Sequence, residues 1–295
     1  MGTQYKFYKQ SAHIINRDVL AIDDEDYRRR AMRFGRTNII IEGDSWFSYP
    51  SEYLGLDISA KQSNAADYVI EFLTKARKTN IIKLSNNGDL LADIVSSNQL
   101  DRLKKLLKLT GNNTHAVLLS AGGNDILDTN FLKTVLRSDG TQGDPASFIK
   151  SEILTKCFAR LRQNFQILFE KRDRYSPNAK IFLHTYDQVL SANRPARFVN
   201  GLVQLGPWIH KAMESCKIIE SERDSIVAFI YGGFRELILD LATTNNNIVV
   251  VDTFGTLQPG NPRHWIDEIH PTPDGFAMIA EKIFTALNKH FANVN

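Results

Sequence analysis

Four short stretches of the 295-residue chain carry side chains that could support acyl transfer. They are residues 43–45 (Gly-Asp-Ser), 86–89 (Asn-Asn-Gly-Asp), 122–125 (Gly-Gly-Asn-Asp) and 267–270 (Asp-Glu-Ile-His). In acyl transfer a serine hydroxyl needs a general base, the base needs a partner that holds its tautomer, and the developing oxyanion needs hydrogen-bond donors. Together the stretches contain all of these groups, so the joint pattern is far more specific than any one of them.

Ser45 lies where a central strand is expected to end. Residues 39–41 are three isoleucines, a short apolar run typical of a strand buried on both faces. Gly43 ends this run, and a serine just past the carboxyl end of a parallel strand lies where open α/β sheets bind ligands. A helix starting at Ser45 would favour an anion beside its hydroxyl. On its own, however, Gly-Asp-Ser favours an ordinary turn.

Gly88 and Asn124 follow the next two predicted strands, residues 80–84 and 115–120. Gly88 either supplies a positive φ to a turn or brings a bare backbone N–H close to a ligand. The two glycines before Asn124 suit a tight turn that presents its amide to a cleft, although this stretch taken alone favours a plain turn. Both interpretations stay open for each stretch taken alone.

Asp267 and His270 are three residues apart, a spacing that lets the carboxylate meet the imidazole ring in a helical turn. Pro271 and Pro273 stiffen the chain before the last predicted helix. A single histidine is more often structural than catalytic. The pairing singles out His270, because the other histidines lack a carboxylate three residues before them in a similar loop.

The elements that must position these residues alternate along the chain. Strands are predicted over residues 38–42, 80–84, 115–120, 180–185 and 247–251, and helices around 24–34 and over 64–76, 90–109, 146–171, 208–220, 225–241 and 273–291. Such alternation predicts a parallel sheet covered on both faces with right-handed crossovers. We expect an N-terminal extension over residues 1–36 and one domain over 37–295. Irregular insertions are expected near 128–147, 186–207 and 254–266, all at the carboxyl edge of the sheet.

The composition excludes several classes of protein. The net charge of +3 is too small to predict nucleic-acid binding, and 43% apolar with 23% charged residues is typical of a globular domain. No run of about 18 apolar residues occurs, so no transmembrane segment is predicted. Lys6, Lys9 and His13 interrupt any apolar N-terminal core, so no signal peptide is predicted. A cytoplasmic location is the default expectation, with leaderless secretion left open.

The two cysteines, Cys157 and Cys216, lie far apart in predicted helices. A disulfide is therefore not expected, and their spacing does not match that of metal ligands. We expect neither a metal ion nor another cofactor.

The four stretches resemble the sequence blocks of the SGNH hydrolase superfamily, also called GDSL-type esterases and lipases. Residues 43–45 match the first block, with Trp46 where leucine is commoner. Gly88 matches the second, although a glycine often found shortly after it is absent, and residues 122–125 match the third in full. Residues 267–270 match the last block, so the resemblance covers nearly the whole chain after the N-terminal extension.

The resemblance implies a three-layer α/β/α sandwich with a five-stranded parallel sheet, the flavodoxin-like arrangement. It implies that Ser45 is the nucleophile, His270 the general base and Asp267 the residue that orients the base. It further implies an oxyanion hole made by the N–H groups of Ser45 and Gly88 and the side chain of Asn124.

The expected activity is that of a serine hydrolase that cleaves carboxylic esters through an acyl-enzyme intermediate. Members of the superfamily act on carboxylic esters, thioesters, lysophospholipids and acetylated sugars. Lysophospholipase, thioesterase and sugar deacetylase activities therefore remain open. The expected partner is a small-molecule, lipid or carbohydrate ester.

Two other interpretations fit parts of the pattern. An α/β-hydrolase has the same order of Ser, Asp and His, but its nucleophile lies in Gly-x-Ser-x-Gly, whereas Ser45 is flanked by Asp44 and Trp46. A non-catalytic binding module on the same fold is the second, because a fold does not dictate function. Such a module would normally have lost a catalytic residue, and here none is missing.

Aromatic residues occur close to the predicted site, and their role is open. They either line an acyl groove, stack on a sugar or belong to the core, which is the usual fate of aromatic side chains. The residues concerned are Trp46, Phe47, Tyr49, Tyr186, Trp208 and Trp265.

Overall fold

The computed structural model describes residues 19–49, 64–76, 79–96, 98–198 and 203–291. Residues 1–18 of the predicted extension and 199–202 of the second predicted insertion lie outside the described residues. The strands are β1 (Thr37–Gly43), β2 (Thr79–Lys83), β3 (Ala116–Ser120), β4 (Lys180–His184), β5 (Ala196–Phe198), β6 (Val203–Leu205) and β7 (Ile248–Val251).

Five of these strands form a parallel sheet in the order β2-β1-β3-β4-β7. This is the doubly wound, flavodoxin-like order. The connection after β1 runs to one side of the sheet and the connection after β3 to the other, and ligands bind at the switch point between these two strands. The predicted fold class is therefore confirmed. The site expected after β1 and β3 lies at this switch point.

Helices cover both faces of the sheet. They are α1 (Asp24–Ala31), α2 (Ser45–Ser48), α3 (Ala65–Ala76), α4 (Leu91–Ser96), α5 (Asn98–Thr110), α6 (Gly123–Leu127), α7 (Thr129–Val135), α8 (Ser151–Tyr175), α9 (Ile209–Ser215), α10 (Glu220–Thr243) and α11 (Pro273–Phe291). Helix α3 packs against α11, whereas α8 contacts α4, α5 and α10 in the other layer. Within the described ranges, no helix has both the length and the apolar character needed to cross a membrane.

Strand β1 is the buried centre of the sheet. Its three isoleucines, residues 39–41, are fully buried, and all seven of its residues are inaccessible. The apolar run thus forms the doubly buried strand that the sequence predicts. The strand ends at Gly43, whose φ is +146°. A Cβ added there would lie 2.3 Å from the backbone oxygen of Ser120, so glycine lets β1 and β3 approach closely beneath Ser45.

Several predicted boundaries are wrong. The helix predicted over residues 90–109 is two helices, α4 and α5, and the long helix predicted from residue 146 begins at Ser151 after a 3₁₀ turn at Pro145–Phe148. The irregular loop predicted after β3 contains helix α7. The Asp128 carboxylate caps α7 by accepting the N–H groups of Asn130 and Phe131 at 3.0 and 2.8 Å.

The insertion after β4 is also partly regular. It contains the antiparallel hairpin of β5 and β6, in which Ala196 pairs with Leu205. The helix predicted over residues 208–220 is shorter, ending at Ser215, and α10 begins at Glu220, earlier than predicted.

Candidate active site

The predicted nucleophile and base lie within hydrogen-bonding distance. Ser45 Oγ is 2.9 Å from His270 Nε2. His270 Nδ1 lies 3.0 and 2.8 Å from the two carboxylate oxygens of Asp267. With the Nδ1 proton directed at the carboxylate, Nε2 can accept a hydrogen bond from the serine hydroxyl. All three side chains are buried, and Ser45 is only 2% exposed.

A tight loop holds the Asp267 carboxylate. One of its oxygens accepts the backbone N–H groups of Ile269 and His270, each at 2.9 Å, and the other accepts the Tyr49 hydroxyl at 3.1 Å. The helical turn expected here is wrong, because an isolated bridge between Trp265 and Pro271 closes the loop instead. The three-residue spacing still brings the two side chains together, since the carboxylate folds back onto the backbone of its own loop.

Ser45 begins the short helix α2, and Asp44 is its N-cap. Asp44 Oδ1 accepts the Trp46 N–H at 3.0 Å and the Ser120 hydroxyl at 2.7 Å. Its Oδ2 accepts the hydroxyl of Tyr186. Burial raises the pKa of Asp44 to about 6. The hydrogen bonds from Tyr186 and Ser120 have the opposite effect and lower this pKa, but burial is the larger effect. The residue before Ser45 is thereby tied to the carboxyl ends of β3 and β4.

Tyr186 connects Asp44 to the third stretch. Its ring lies over Gly123, where an added Cβ would come within 2.7 Å of a ring carbon. Its backbone N–H donates to Nδ1 of His184, 3.2 Å away. Burial lowers the pKa of His184 to about 3, so this imidazole is neutral at physiological pH. Tyr186 therefore helps to position the segment that carries Asn124.

Asn124 lies in the first turn of α6, which is hydrogen-bonded to the segment after β2 that carries Gly88. The Asn124 side-chain amide donates to the carbonyl oxygen of Asp89 at 2.9 Å, and the Asp125 carboxylate accepts the Leu91 N–H at 2.7 Å. Gly88 adopts the positive φ of +84° expected for a turn. The amide of Asn124 has two N–H groups, so one remains for another acceptor.

One cavity brings all the predicted residues except Asp267 together. Ser45, Gly88, Asn124 and His270 line a cavity of about 260 Å³. Its remaining lining is mostly apolar and comprises Asn87, Leu90, Leu127, Asp128, Leu205, Trp208 and Ile269. Asp267 lies behind His270, as a residue that orients the base requires.

Trp208 alone among the six aromatic residues singled out in the sequence lines this cavity. Its ring meets His270 edge-on, with centroids 5.7 Å apart and planes at 79°. The other five, Trp46, Phe47, Tyr49, Tyr186 and Trp265, are buried members of the core, so the core interpretation holds for them.

Glu268 is a buried residue that sequence reasoning missed. It lies between Asp267 and His270, is only 3% exposed, and accepts backbone N–H groups from the insertion after β4. Burial raises the pKa of Glu268 to about 7, although these hydrogen bonds act in the opposite direction and lower it. No local pattern marks this residue, because its partners lie 58 to 76 positions away.

No metal centre competes with this site in the described part of the chain. Among those residues, no group of three or more His, Cys, Asp or Glu side chains could hold a metal ion. Cys157 and Cys216 are both free thiols.

Structures of known proteins share this fold. The lipase Lip_vut3 from a goat rumen metagenome matches with a TM-score of 0.52 and 12% identity, over 85% of this chain and 97% of that one. The extracellular lipase from Streptomyces rimosus matches with a TM-score of 0.51 and 16% identity, over 86% and 99% of the two chains. At such identities the likeness shows the fold alone.

Family membership is shown at the level of sequence. No curated protein matches the chain. The family model described as GDSL-like Lipase/Acylhydrolase matches residues 43–283. This range includes all four stretches that carry the predicted site residues. Because this match covers well over half of the chain, the protein belongs to the GDSL-like lipase/acylhydrolase family.

Proposed function

We propose that the protein is a serine hydrolase that cleaves carboxylic esters through an acyl-enzyme intermediate on Ser45. The observation that supports this most is the continuous hydrogen-bonded series of Ser45, His270 and Asp267 at the edge of a cavity. A hydroxyl, an imidazole and a carboxylate in this order are the groups that activate a serine for acyl transfer. A non-catalytic binding module would not require these three groups to be hydrogen-bonded in this order.

In the first half of the reaction, Ser45 Oγ attacks the ester carbonyl carbon while its proton passes to His270 Nε2. Asp267 stabilises the resulting imidazolium and stays ionised. Collapse of the tetrahedral intermediate breaks the bond to the alkoxy oxygen, which leaves as the alcohol with the proton from His270. A water molecule, deprotonated by His270, then attacks the acyl-enzyme, releasing the carboxylic acid and restoring Ser45.

The oxyanion of each tetrahedral intermediate needs donors on the opposite side of the cavity from the base. The N–H groups of Ser45 and Gly88 and the free N–H of the Asn124 amide are the proposed donors. Their support is that all three residues line one cavity and that the segments of Gly88 and Asn124 are bonded to each other. Donors held in place before the reaction stabilise the developing charge without reorganisation.

The size and lining of the cavity favour esters of short to medium acyl chains. Sites for drug-sized ligands are roughly 300–1,000 Å³, and this cavity is about 260 Å³. Among the described residues that line it, Asp128 is the one carboxylate, and it already accepts two backbone N–H groups of α7. The apolar remainder suits an uncharged hydrocarbon chain.

A panel of p-nitrophenyl esters from acetate to laurate tests this function, measured beside a lysophospholipid and an acetylated sugar. Wild-type protein should hydrolyse the shorter esters fastest. Ser45→Ala should lower kcat by about 10⁴- to 10⁶-fold, as removal of a catalytic serine does in other hydrolases. Ser215→Ala, which alters an exposed serine of α9, is the matched control and should leave the rates unchanged. Retention of most activity by folded Ser45→Ala would refute the assignment.

A further inference from the structure

The Glu268 carboxylate ties the loop of the proposed base to the insertion after β4. Oε2 accepts the Ile209 N–H at 2.9 Å, and Oε1 accepts the His210 N–H at 2.7 Å. Oε1 also accepts the Ala192 N–H at 3.2 Å, and the Glu268 N–H donates to the Arg194 oxygen at 3.0 Å. One buried side chain therefore holds both ends of the hairpin-containing segment.

Two residues near the second of these ends, Leu205 and Trp208, line the cavity. Trp208 directly precedes the two N–H groups bound at the start of α9, and its ring lies against His270. The Trp208 carbonyl oxygen also accepts the Thr129 hydroxyl at 3.1 Å. The position of Trp208 therefore depends on bonds made outside the cavity.

We propose that Glu268 is a positioning residue that sets the acyl-chain selectivity by holding Trp208 in place as a wall of the cavity. This inference rests on the proposed esterase function. The hydrogen bonds of Glu268 go to backbone N–H groups of the insertion, so its loss acts on the shape of the cavity through Trp208. None of these hydrogen bonds goes to the side chain of Ser45, Asp267 or His270.

Glu268→Gln isolates the role of the carboxylate. The substitution preserves shape but turns one oxygen into an NH₂ group, which cannot accept a backbone N–H. A buried donor that loses its acceptor carries a free-energy penalty, so the start of α9 should move away from the loop. Trp208 would then move away from the cavity, which would become longer or wider and accept longer acyl chains.

The test measures kcat and KM for p-nitrophenyl acetate and octanoate in wild type, Glu268→Gln, Trp208→Ala and the double variant. Trp208→Ala should raise the octanoate-to-acetate ratio of kcat/KM by about tenfold or more, the scale on which pocket walls discriminate chain length. Glu268→Gln should raise it by about threefold or more. The double variant should match Trp208→Ala, because residues that act through one contact are not additive.

The control is Glu281→Gln, which neutralises an exposed carboxylate of α11 and should leave the ratio unchanged. An unchanged ratio in folded Glu268→Gln would overturn the proposal, as would independent, multiplicative effects in the double variant. If Glu268→Gln does not fold, Glu268→Asp, which withdraws the carboxylate by one methylene, should show the same rise.

A binding measurement separates this inference from the esterase function. Calorimetry of octanoate with Ser45→Ala and with Ser45→Ala/Glu268→Gln reports the shape of the cavity without hydrolysis. The second protein should bind octanoate about threefold more tightly or better, and equal affinities would overturn the inference. Absence of Ser45-dependent hydrolysis in wild type would instead refute the proposed function.

Discussion

The side-chain amide of Asn124 donates a hydrogen bond to the backbone carbonyl of Asp89, 2.9 Å away in the neighbouring loop. A plain turn would have Asn124 bonded to its own backbone. The observed bond instead fixes the segment after β3 to the segment after β2, with Asn124 and Gly88 on one cavity. One amide N–H thus positions the site, and the other is the one proposed to meet the oxyanion.

Asn124→Ala should lower kcat by about 10²- to 10³-fold with little change in KM, because an oxyanion donor acts mainly in the transition state. Loss of the bond to Asp89 should also cost about 1 kcal/mol of stability. Steady-state kinetics and thermal melting measure both effects. Asn130→Ala, an exposed position on α7, is the control. Near-normal kcat with a clearly lowered Tm would remove Asn124 from the oxyanion hole.

Tyr186→Phe tests the buried network under the nucleophile. The variant removes the hydroxyl that donates to Asp44, while the ring that packs on Gly123 is kept. Because this hydrogen bond lowers the pKa of Asp44, whose value is about 6, its loss penalises the ionised carboxylate. Destabilisation of Tyr186→Phe relative to wild type should therefore be larger at pH 8 than at pH 5. Thermal melts at both values measure this, and an equal loss at both would contradict an ionised Asp44.

Glu42→Gln should become stabilising as pH rises. Burial raises the pKa of Glu42 to about 8. One of its oxygens accepts the Gly43 N–H at 2.9 Å, and the other has no hydrogen-bond partner among the residues that the structure describes. A carboxyl group whose pKa is raised on folding contributes most stability below its unfolded pKa, about 4.3, and loses that contribution as pH rises through 8. The neutral amide avoids this loss.

The Tm of Glu42→Gln should therefore be close to that of wild type at pH 5 and higher at pH 9. Calorimetric melts across this range measure the difference. Glu281→Gln, at an exposed position, should show no such trend. A difference in Tm between Glu42→Gln and wild type that stayed constant from pH 5 to 9 would mean that the pKa of Glu42 is the same in the folded and unfolded protein, and would contradict the raised value.

The central strand and the pairing of Asp267 with His270 could be predicted because their signals are local. The isoleucines of β1 can be buried on both faces only in a central strand, and Gly43 marks its end. The Asp267 and His270 spacing brought the two side chains together, although through a bridged loop and not the expected helical turn. These features depend on residues that are close in sequence.

The cavity wall could not be predicted because it depends on packing between distant segments. Trp208 was one of six aromatic candidates, and the residues that fix its surroundings, Glu268 and Thr129, lie about 60 to 80 positions away. Helix α7 was missed because its capping residue, Asp128, lies in a stretch rich in turn-forming residues. Contacts between segments that are distant along the chain produce no periodic pattern in the sequence.

Covalent labelling tests the central claim, that Ser45 is a nucleophile activated by His270, most directly. Wild type is treated with a fluorophosphonate, and peptide mass spectrometry locates the adduct, beside His270→Ala and Ser45→Ala. The account predicts one adduct on Ser45 in wild type, labelling slowed by several orders of magnitude in His270→Ala, and none at this position in Ser45→Ala. An adduct on another residue, or equally fast labelling of folded His270→Ala, would contradict it.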